Sequence, residues 1–499
     1  MDLPAKTRAA ARPAPSPETG AADAGIVSVA AQRAEEPLYA HRIKVYPKSV
    51  QGPFRRIKWA LLGLFLAIYY LVPWLRWDRG PGAPDQAILI DLPGRRAYFL
   101  WIEIWPQEVY YITGLLVLAA LALFLVTSLL GRVWCGYACP QTVWTDLFML
   151  VERLIEGDRN ARMRLDRQPW SAAKFARKAA KHAIWLLIAL ATGGAWILYF
   201  VDAPTAIGPL LRGEGDAGAY VFIALFTSTT YLLAGWAREQ VCTYMCPWPR
   251  FQAAMLDEHS VLVTYQDWRG EPRGKHKAGT PWDGRGDCID CGQCIAVCPT
   301  GIDIRDGQQL ECIGCGLCVD ACDGVMDKVG RPPRLITWDT LSRQEAKAGG
   351  RTAPFRWWRA RVVIYLALIA VVGAVMVGAL ALRATVELSV LRDRSPLWVV
   401  LADGSIRNAY TVKILNKSRD RETYRLAVAG LPQARLTVAD GAGDDRVAAQ
   451  PDGVATFRVF LSLPAGTPLP ESTPITLAAT RLSTGEVARH GSVFLAPRH

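Results

Sequence analysis

Histidine is scarce in this chain of 499 residues: there are six, and only His182 lies near a long apolar stretch. Membrane-bound haems need axial ligands inside the bilayer, so this scarcity argues against a haem protein. We expect His182, beside Lys181, to be a solvated residue at the membrane boundary. The sequence also has no convincing Gly-x-Gly-x-x-Gly pattern or P-loop, so no nucleotide cofactor is expected.

The N-terminal segment also lacks the pattern of a secretory leader, so we expect none here. Residues 1–50 are rich in alanine, proline and charge, and they contain no apolar run followed by a small-residue cleavage site. Such a composition cannot bury enough apolar surface to fold. We therefore predict a retained, disordered N-terminal tail over residues 1–56.

No cysteine stands alone. All twelve fall into short-spaced clusters, at positions 135, 139, 242, 246, 288, 291, 294, 298, 312, 315, 318 and 322. A disulfide-stabilised secreted domain would scatter its cysteines over a small chain. This clustering instead favours metal or redox chemistry.

Long uncharged stretches exclude a purely soluble protein. Each is long enough to cross a hydrocarbon layer of about 30 Å. They lie at 59–75, 109–130, 183–201, 217–237 and 362–382. The net charge of +12 is concentrated beside these stretches, which is typical of membrane orientation rather than of nucleic-acid binding.

The loops between the stretches differ in positive charge. Loop 131–181 carries ten Lys and Arg residues, loop 76–108 carries four, and loop 202–218 carries only Arg212. Because cytoplasmic loops are enriched in these residues, we expect loop 131–181, the N-terminus and residues 238–361 in the cytoplasm. Residues after 383 are then expected on the outside.

The last part of the chain, residues 383–499, has a different pattern. Alternating apolar and polar residues recur between turn sequences, as in Tyr410–Leu415, Tyr424–Val428, Ala455–Phe460 and Ile475–Ala479. Seven or eight short strands at this spacing predict an antiparallel, immunoglobulin-like β-sandwich. It contains no cysteine and no catalytic grouping, so we expect a docking or structural role.

Between 248 and 361, eight cysteines have the spacing of a bacterial ferredoxin with two 4Fe–4S clusters. In such folds the fourth cysteine of each run serves the other cluster. One predicted ligand set is Cys288, Cys291, Cys294 and Cys322, and the other is Cys312, Cys315, Cys318 and Cys298. Gly292, Gly314 and Gly316 would let the backbone wrap closely around the clusters. Zinc fits poorly, because its usual cysteine pairs are not triple runs. Asp323 follows Cys322 where the usual pattern has proline.

The remaining four cysteines form a duplicated motif, Cys-x-Tyr-x-Cys-Pro, at 135–140 and 242–247. Each copy follows an uncharged stretch, so residues 57–247 contain a repeated helix pair with one orientation. We expect each cysteine pair on the last turn of its helix, with Tyr137 and Tyr244 in the interfacial aromatic belt.

If the two copies meet, Cys135, Cys139, Cys242 and Cys246 converge near the ferredoxin region. Soft thiolates, with Met245, would favour Cu(I). The thiols could instead exchange disulfides or only pack helices together. The residues alone leave these alternatives open.

With the paired motifs, the two-cluster cassette, the late single span and the tail containing Asn408–Lys417, nearly the whole chain resembles one family. The family is that of the membrane polyferredoxins of the FixG/RdxA/CcoG type, which are called cytochrome c oxidase accessory proteins. The resemblance implies five transmembrane helices, an inserted two-cluster ferredoxin domain (α+β) and a C-terminal immunoglobulin-like β-sandwich. It also implies a bacterial inner-membrane protein that reduces Cu(II) to Cu(I) for assembly of a cbb-type oxidase.

The expected partners are a cytoplasmic electron donor, a copper transporter or chaperone, and oxidase subunits, with a homodimer among the open oligomeric states. Two other functions stay open on the residues alone. One is a respiratory relay that passes electrons from quinol or a soluble donor to a partner reductase. The other is a non-enzymatic assembly scaffold.

Overall fold

Five apolar helices define the membrane part of the computed structural model, which describes residues 44–80, 83–277, 279, 281–439 and 445–497. Within these residues, the helices long and apolar enough to cross a membrane are Pro53–Trp74, Pro106–Leu130, Ala172–Ile197, Ala217–Ala237 and Ala360–Ala381. The predicted number of spans is confirmed. Most of the predicted disordered tail, residues 1–43, lies outside the described residues.

Short helices and a small sheet connect the first four spans. The elements are α1 (Pro53–Leu71), β1 (Ile88–Asp91), β2 (Arg96–Phe99), β3 (Ile102–Ile104), α2 (Tyr110–Leu130), α3 (Pro140–Glu156), α4 (Arg159–Arg167), α5 (Ala172–Ile197), α6 (Ala203–Arg212) and α7 (Ala217–Thr230). The four spans contain α1, α2, α5 and α7. Helix α5 begins at Ala172 rather than at the predicted 183. The Ser171 hydroxyl accepts the Lys174 N–H at 3.2 Å and caps a basic first stretch that apolar content alone does not reveal.

Helix α3 lies in the core beneath the spans. Its Phe148 is fully buried, and the Phe148 carbonyl accepts the Trp185 indole N–H of α5 at 3.0 Å. Asp146 is buried too and pairs with Arg55 of α1 at 2.9 Å. Helix α3 is therefore a buried connecting helix, and its carboxylates Asp146, Glu152 and Glu156 are each in an ion pair.

The ferredoxin region is built on a two-stranded antiparallel sheet. Its elements are α8 (Trp248–Met255), β4 (Val261–Tyr265), α9 (Asp267–Gly270), α10 (Gln293–Val297), α11 (Leu317–Lys328), β5 (Ile336–Thr340) and α12 (Leu341–Ala348), followed by the span α13 (Ala360–Ala381). Strands β4 and β5 pair from Val261↔Thr340 to Tyr265↔Ile336. Their inner residues pack with Ile304 and Val319 and form the core around the cysteine runs.

The C-terminal region forms two antiparallel sheets, as predicted. The strands are β6 (Val386–Arg392), β7 (Val399–Val400), β8 (Ile406–Asn416), β9 (Glu422–Ala429), β10 (Arg435–Val438), β11 (Arg446–Ala449), β12 (Gly453–Leu463), β13 (Ser472–Arg481) and β14 (Val487–Leu495). One sheet has the order β10-β12-β8-β6 with β7 paired to β8, and the other is β11-β9-β13-β14. Alternate residues of both sheets meet in one apolar core, which includes Tyr410, Leu426, Val459 and Leu477.

The ferredoxin region is attached to the first span by direct contacts. The Asp320 carboxylate of α11 accepts the backbone N–H groups of Phe54 at 3.2 Å and Arg55 at 2.8 Å, and so caps α1. Residues 46–52, within the tail predicted from composition, form an extended segment here, and the Lys48 N–H donates to the Ala296 carbonyl at 2.8 Å. The cassette is thereby held against the helix bundle.

The immunoglobulin-like region contacts the loop between the first two spans. Glu108, at the start of the second span, is buried and pairs with Arg383 at 2.8 Å and Lys417 at 2.7 Å. The two segments predicted outside the membrane, the loop before the second span and the immunoglobulin-like region, therefore contact each other. The segments predicted in the cytoplasm, the start of the first span and the ferredoxin region, also contact each other.

Candidate functional site

In each cysteine run of the ferredoxin region, a helix begins one residue before the third cysteine. Gly292 precedes α10 with φ 62°, and Gly316 precedes α11 with φ 70°. Only glycine adopts this conformation without strain, so the two runs make the same turn around their central cysteines. The turn directs backbone N–H groups toward the space that the cysteines surround.

Two neighbouring cavities are lined by the eight cysteines. The first is lined by Cys288, Cys291, Cys294 and Cys322. The second is lined by Cys298, Cys312, Cys315 and Cys318, with Cys294 at their common border. The fourth cysteine of each run thus lies with the first three of the other run. Two sets of four soft donors around enclosed space, with glycine turns, fit a pair of 4Fe–4S clusters.

Burial strongly disfavours free thiolates here. It raises the pKa of Cys294 to about 11, and those of Cys312 and Cys322 to about 12. A buried thiol gives up its proton when a metal cation replaces it, because the cation balances the sulfur charge. The site is therefore suited to bound metal rather than to free thiolate chemistry.

The two cavities differ in their exposure. Cys291 of the first is exposed, whereas Cys315 of the second is buried beneath the membrane part. Arg305 lies beside the first cavity and pairs with Asp290 at 2.6 Å and Asp303 at 2.7 Å. Sequence reasoning gave Arg305 no role, since its contact with the cysteines depends on the loop path between the runs.

The duplicated motif forms two single turns of π-helix, Trp134–Ala138 and Val241–Met245. Each is separated from its span by a bend, at Gly131 (φ 62°, ψ −129°) and at Arg238 (φ 46°, ψ −114°). The prediction that the cysteines lie on the last turn of the span is wrong. The chain turns first, and the proline after each motif holds Cys139 and Cys246 in extended backbone.

The structure brings the two copies of the motif together. Cys135 and Cys242 pack in one small core with Val297, Ile313 and Cys315 of the ferredoxin region. Burial raises the pKa of Cys135 to about 11 and that of Cys242 to about 12, and the charges of the other motif cysteines act in the same direction. Cys139 is half-buried, whereas Cys246 and Met245 are exposed.

None of the twelve cysteines forms a disulfide. In the described part of the chain, no three His, Cys, Asp or Glu side chains are grouped as a formed metal site, either in the ferredoxin region or at the motif. The spacing of the side chains therefore does not distinguish the ferredoxin cavities from the motif as metal sites. The number and type of the donor atoms must distinguish them.

The first motif contacts the second cysteine run directly. The Tyr137 hydroxyl donates to the Cys315 carbonyl at 2.9 Å, and its ring stacks on Trp338 at 6.2 Å between centroids. A Cβ on Gly136 would lie 2.9 Å from the Ile313 carbonyl oxygen. The expected place of Tyr137 in an interfacial belt is wrong, because its side chain is 4% exposed inside this contact. Tyr244 is 74% exposed.

A buried polar group joins this contact to the membrane part. The Cys135 thiol donates to the Gln252 side-chain oxygen at 3.1 Å, and the Arg132 guanidinium donates to the same atom at 3.3 Å. Gln252 in turn donates to Thr127 of α2 at 3.2 Å. No motif or spacing marks Gln252, which lies ten positions after Cys242. His182, expected to be solvated, stacks on Trp236 and hydrogen bonds to Tyr231 at 3.0 Å.

Comparison with known proteins assigns these regions. Residues 237–341 match a family described as a 4Fe–4S dicluster domain, and residues 112–156 match a 4Fe–4S binding domain. Residues 376–497 match the Ig-like fold at the C-terminus of FixG. The nitrogen fixation protein FixG of Rhizobium meliloti is 53% identical over 471 residues, with 88% of this chain and 90% of the relative covered. The chain belongs to the FixG/RdxA family.

A second relative supports the assignment to this family. Protein RdxB of Cereibacter sphaeroides is 51% identical, with 92% of this chain and 97% of the relative covered. A crystal structure of a FixG-related protein from Vibrio parahaemolyticus matches 23% of this chain and 99% of its own, at 23% identity and a TM-score of 0.21. The family assignment and the cysteine-lined cavities identify an iron–sulfur electron-transfer protein with membrane helices.

Proposed function

We propose that this protein reduces Cu(II) to Cu(I) at the cytoplasmic face of a bacterial inner membrane, for assembly of a cbb-type oxidase. In this proposal Cys288, Cys291, Cys294 and Cys322 hold one 4Fe–4S cluster, and Cys298, Cys312, Cys315 and Cys318 hold the other. Copper is the substrate, received by Cys135, Cys139, Cys242 and Cys246, with Met245 at the exposed edge. The clusters supply one-electron transfer when they are bound.

The contact between Gly136–Tyr137 and the loop Ile313–Cys315 carries the proposal. It leaves no layer of side chains between the backbone of the first motif and the backbone of the second cysteine run. Electrons from a soluble donor would enter at the exposed Cys291 edge and leave at this buried edge. Cu(II) at the motif would take up one electron and become Cu(I), and the cluster that Cys298, Cys312, Cys315 and Cys318 would hold would supply that electron.

The thiols account for the choice of copper form. Thiolate and thioether sulfur stabilise Cu(I) over harder ions, so binding at the motif favours the reduced product. Because burial keeps Cys135 and Cys242 protonated in the absence of metal, copper binding there releases protons. The exposed Cys246 and Met245 would then be the side from which copper enters and leaves.

Charge supports the orientation and the partners. Loop 131–181, with ten Lys and Arg residues, lies on the same side as the ferredoxin region, as the positive-inside rule requires of a cytoplasmic segment. The immunoglobulin-like region, attached to the opposite loop through Glu108, would then face the periplasm. There it is available to oxidase subunits or to a copper transporter or chaperone.

The test is an anaerobic single-turnover assay. The purified protein is reduced, freed of reductant and mixed with Cu(II), and Cu(I) is trapped by a chelator while cluster absorbance is followed. We expect up to two Cu(I) per protein together with cluster reoxidation. Clusters that stay reduced without Cu(I) formation would contradict copper as acceptor and favour the relay or the scaffold.

A paired variant locates the copper site. Cys242→Ser with Cys246→Ser should leave iron and sulfide content unchanged and lower the Cu(I) yield. Thr243→Val, in the same turn, is the matched control and should keep the yield of the unmodified protein. A double variant that reduces Cu(II) normally would remove the motif from the mechanism.

A further inference from the structure

Arg132 occupies an unusual position between the two cysteine systems. It follows the bend at Gly131, and it is 7% exposed. Its guanidinium donates to the Gln252 side-chain oxygen on one side and to the Leu310 carbonyl, two residues before Cys312, on the other. A Cβ on Gly314, between Cys312 and Cys315, would lie 3.3 Å from the Arg132 backbone.

These contacts leave the charge of Arg132 without a carboxylate. Both of its acceptors are neutral oxygens, and among the described residues no ion pair to it is formed. Arg238, which forms the bend of the second repeat and corresponds to Gly131, is equally buried, and it pairs with Glu152 at 3.0 Å. A buried guanidinium without a counter-charge is strongly disfavoured, as a buried ion pair is when one partner is removed.

Cysteines of both systems lie close to this cation. The Arg132 guanidinium shares the Gln252 side-chain oxygen with the Cys135 thiol of the motif, and its other contact is the Leu310 carbonyl, two residues before Cys312 of the second run. One cation therefore acts on the motif and on the second cluster site together. Arg305 has the corresponding place beside the first cavity, but it is balanced by Asp290 and Asp303.

We propose that Arg132 is a positioning residue shared by the second cluster and the thiol site. Its charge stabilises the added electron at the second cluster, and the contact through Gln252 fixes the Cys135 sulfur for copper. When Cu(II) accepts the electron and becomes Cu(I), the second cluster, on the other side of Arg132, would lose one negative charge. The effect on copper depends on the function proposed above, whereas the effect on the cluster does not.

The first experiment is a redox titration of the full-length protein in detergent, followed by electron paramagnetic resonance. Arg132→Met should lower one of the two midpoint potentials, because a cation is removed near one reduced centre. Arg132→Lys keeps the charge and should restore most of the difference. Arg305→Met, the matched control, should lower the other potential. Because each methionine variant should shift a different potential, the test does not require that either resonance signal be assigned to a cluster beforehand.

Two outcomes would overturn the proposal: no shift in Arg132→Met, or a shift of the same potential in both methionine variants. Iron and sulfide content show whether each protein is folded. Where Arg132→Met loses its clusters, Gln252→Glu gives the same test, because the added carboxylate neutralises Arg132 in place. It should lower the potential that Arg132 controls, and an unchanged potential would count against the proposal.

The copper effect is measured separately, as Cu(I) retention against a chelator by the reduced protein. Arg132→Met should weaken retention roughly 10-fold, as is usual when a group that orients a metal ligand is lost. If the unmodified protein forms no Cu(I), the proposed function fails while the potentials still decide the role of Arg132. If Cu(I) forms and the potentials do not move, only the inference about Arg132 fails.

Discussion

The two copies of the Cys-x-Tyr-x-Cys-Pro motif have nearly the same backbone and very different surroundings. Both form one π-helical turn after a bend, and both end in extended backbone before proline. In the first copy the tyrosine is 4% exposed and contacts the second cysteine run, whereas in the second copy it is 74% exposed. The duplication thus supplies one copy that contacts the ferredoxin region and one whose tyrosine remains exposed.

The side chains that differ between the copies explain this division. Gly136 of the first corresponds to Thr243 of the second, and Ala138 corresponds to Met245. Only glycine lets the backbone come so close to Ile313 and Cys315. The open copy instead has a thioether that soft metals accept.

The largest loss of stability is expected from replacing Gly136, which lies against the Ile313 carbonyl oxygen. Gly136→Thr forces a Cβ against the Ile313 carbonyl oxygen and should destabilise the ferredoxin contact by about 1–3 kcal/mol or more. Thr243→Gly, the reciprocal change, should cost about 1 kcal/mol or less. Thermal unfolding followed by iron–sulfur absorbance measures both. Equal losses in the two variants would mean that the copies are not structurally distinct.

Thiol reactivity should next distinguish the buried first cysteine of each copy from the exposed Cys246 of the second copy. Because burial raises the pKa of Cys135 to about 11 and of Cys242 to about 12, alkylation of these thiols at pH 8 should be at least roughly 10-fold slower than that of the exposed Cys246. Their rates should rise with pH throughout the range below those pKa values, since the thiolate fraction grows. Mass spectrometry after timed alkylation of copper-free protein gives the rates. Rapid labelling of Cys135 would contradict its burial against Ile313.

A smaller difference is expected from the two tyrosines. Tyr137→Phe removes a buried hydrogen bond to Cys315 and should lower the free energy of unfolding by about 1 kcal/mol. Tyr244→Phe, on the exposed copy, should change it by less than about 0.5 kcal/mol. Both variants keep the ring, so the comparison isolates the hydroxyl. If Tyr244→Phe proves the more costly, the second copy must be covered in the folded protein.

Much of this arrangement could be predicted from local patterns. The five apolar stretches, the strand alternation around Tyr410–Leu415 and the cysteine spacing each depend on neighbouring residues, and each predicted the right kind of element. The start of α5 at Ala172 and the bends at Gly131 and Arg238 were missed. The Ser171 cap extends α5 beyond its apolar stretch, and each bend follows directly after an uncharged run, where composition carries no signal for a backbone turn.

The residues that join the regions could not be predicted, because their roles depend on contacts distant in sequence. Arg132 counts in the sequence only as one of ten loop cations, yet it reaches Leu310, and Asp320 caps a helix that begins 267 positions earlier, at Pro53. Tyr137 and Tyr244 are indistinguishable by pattern. Only the fold separates them, since a single ferredoxin region can contact one copy closely.

The smallest structural effect, and the sharpest test of the open copy, is expected at Met245. Its side chain is 62% exposed, so Met245→Ala, which reproduces Ala138 of the first copy, should leave the unfolding temperature and cluster content nearly unchanged. If its thioether is a copper ligand, Cu(I) retention should still fall, because one soft donor is lost while the thiols remain. Chelator competition under anaerobic conditions measures this, with Tyr244→Phe as the neighbouring control. Equal retention in both variants would confine the copper site to the four cysteines and leave the exposed thioether without a part in it.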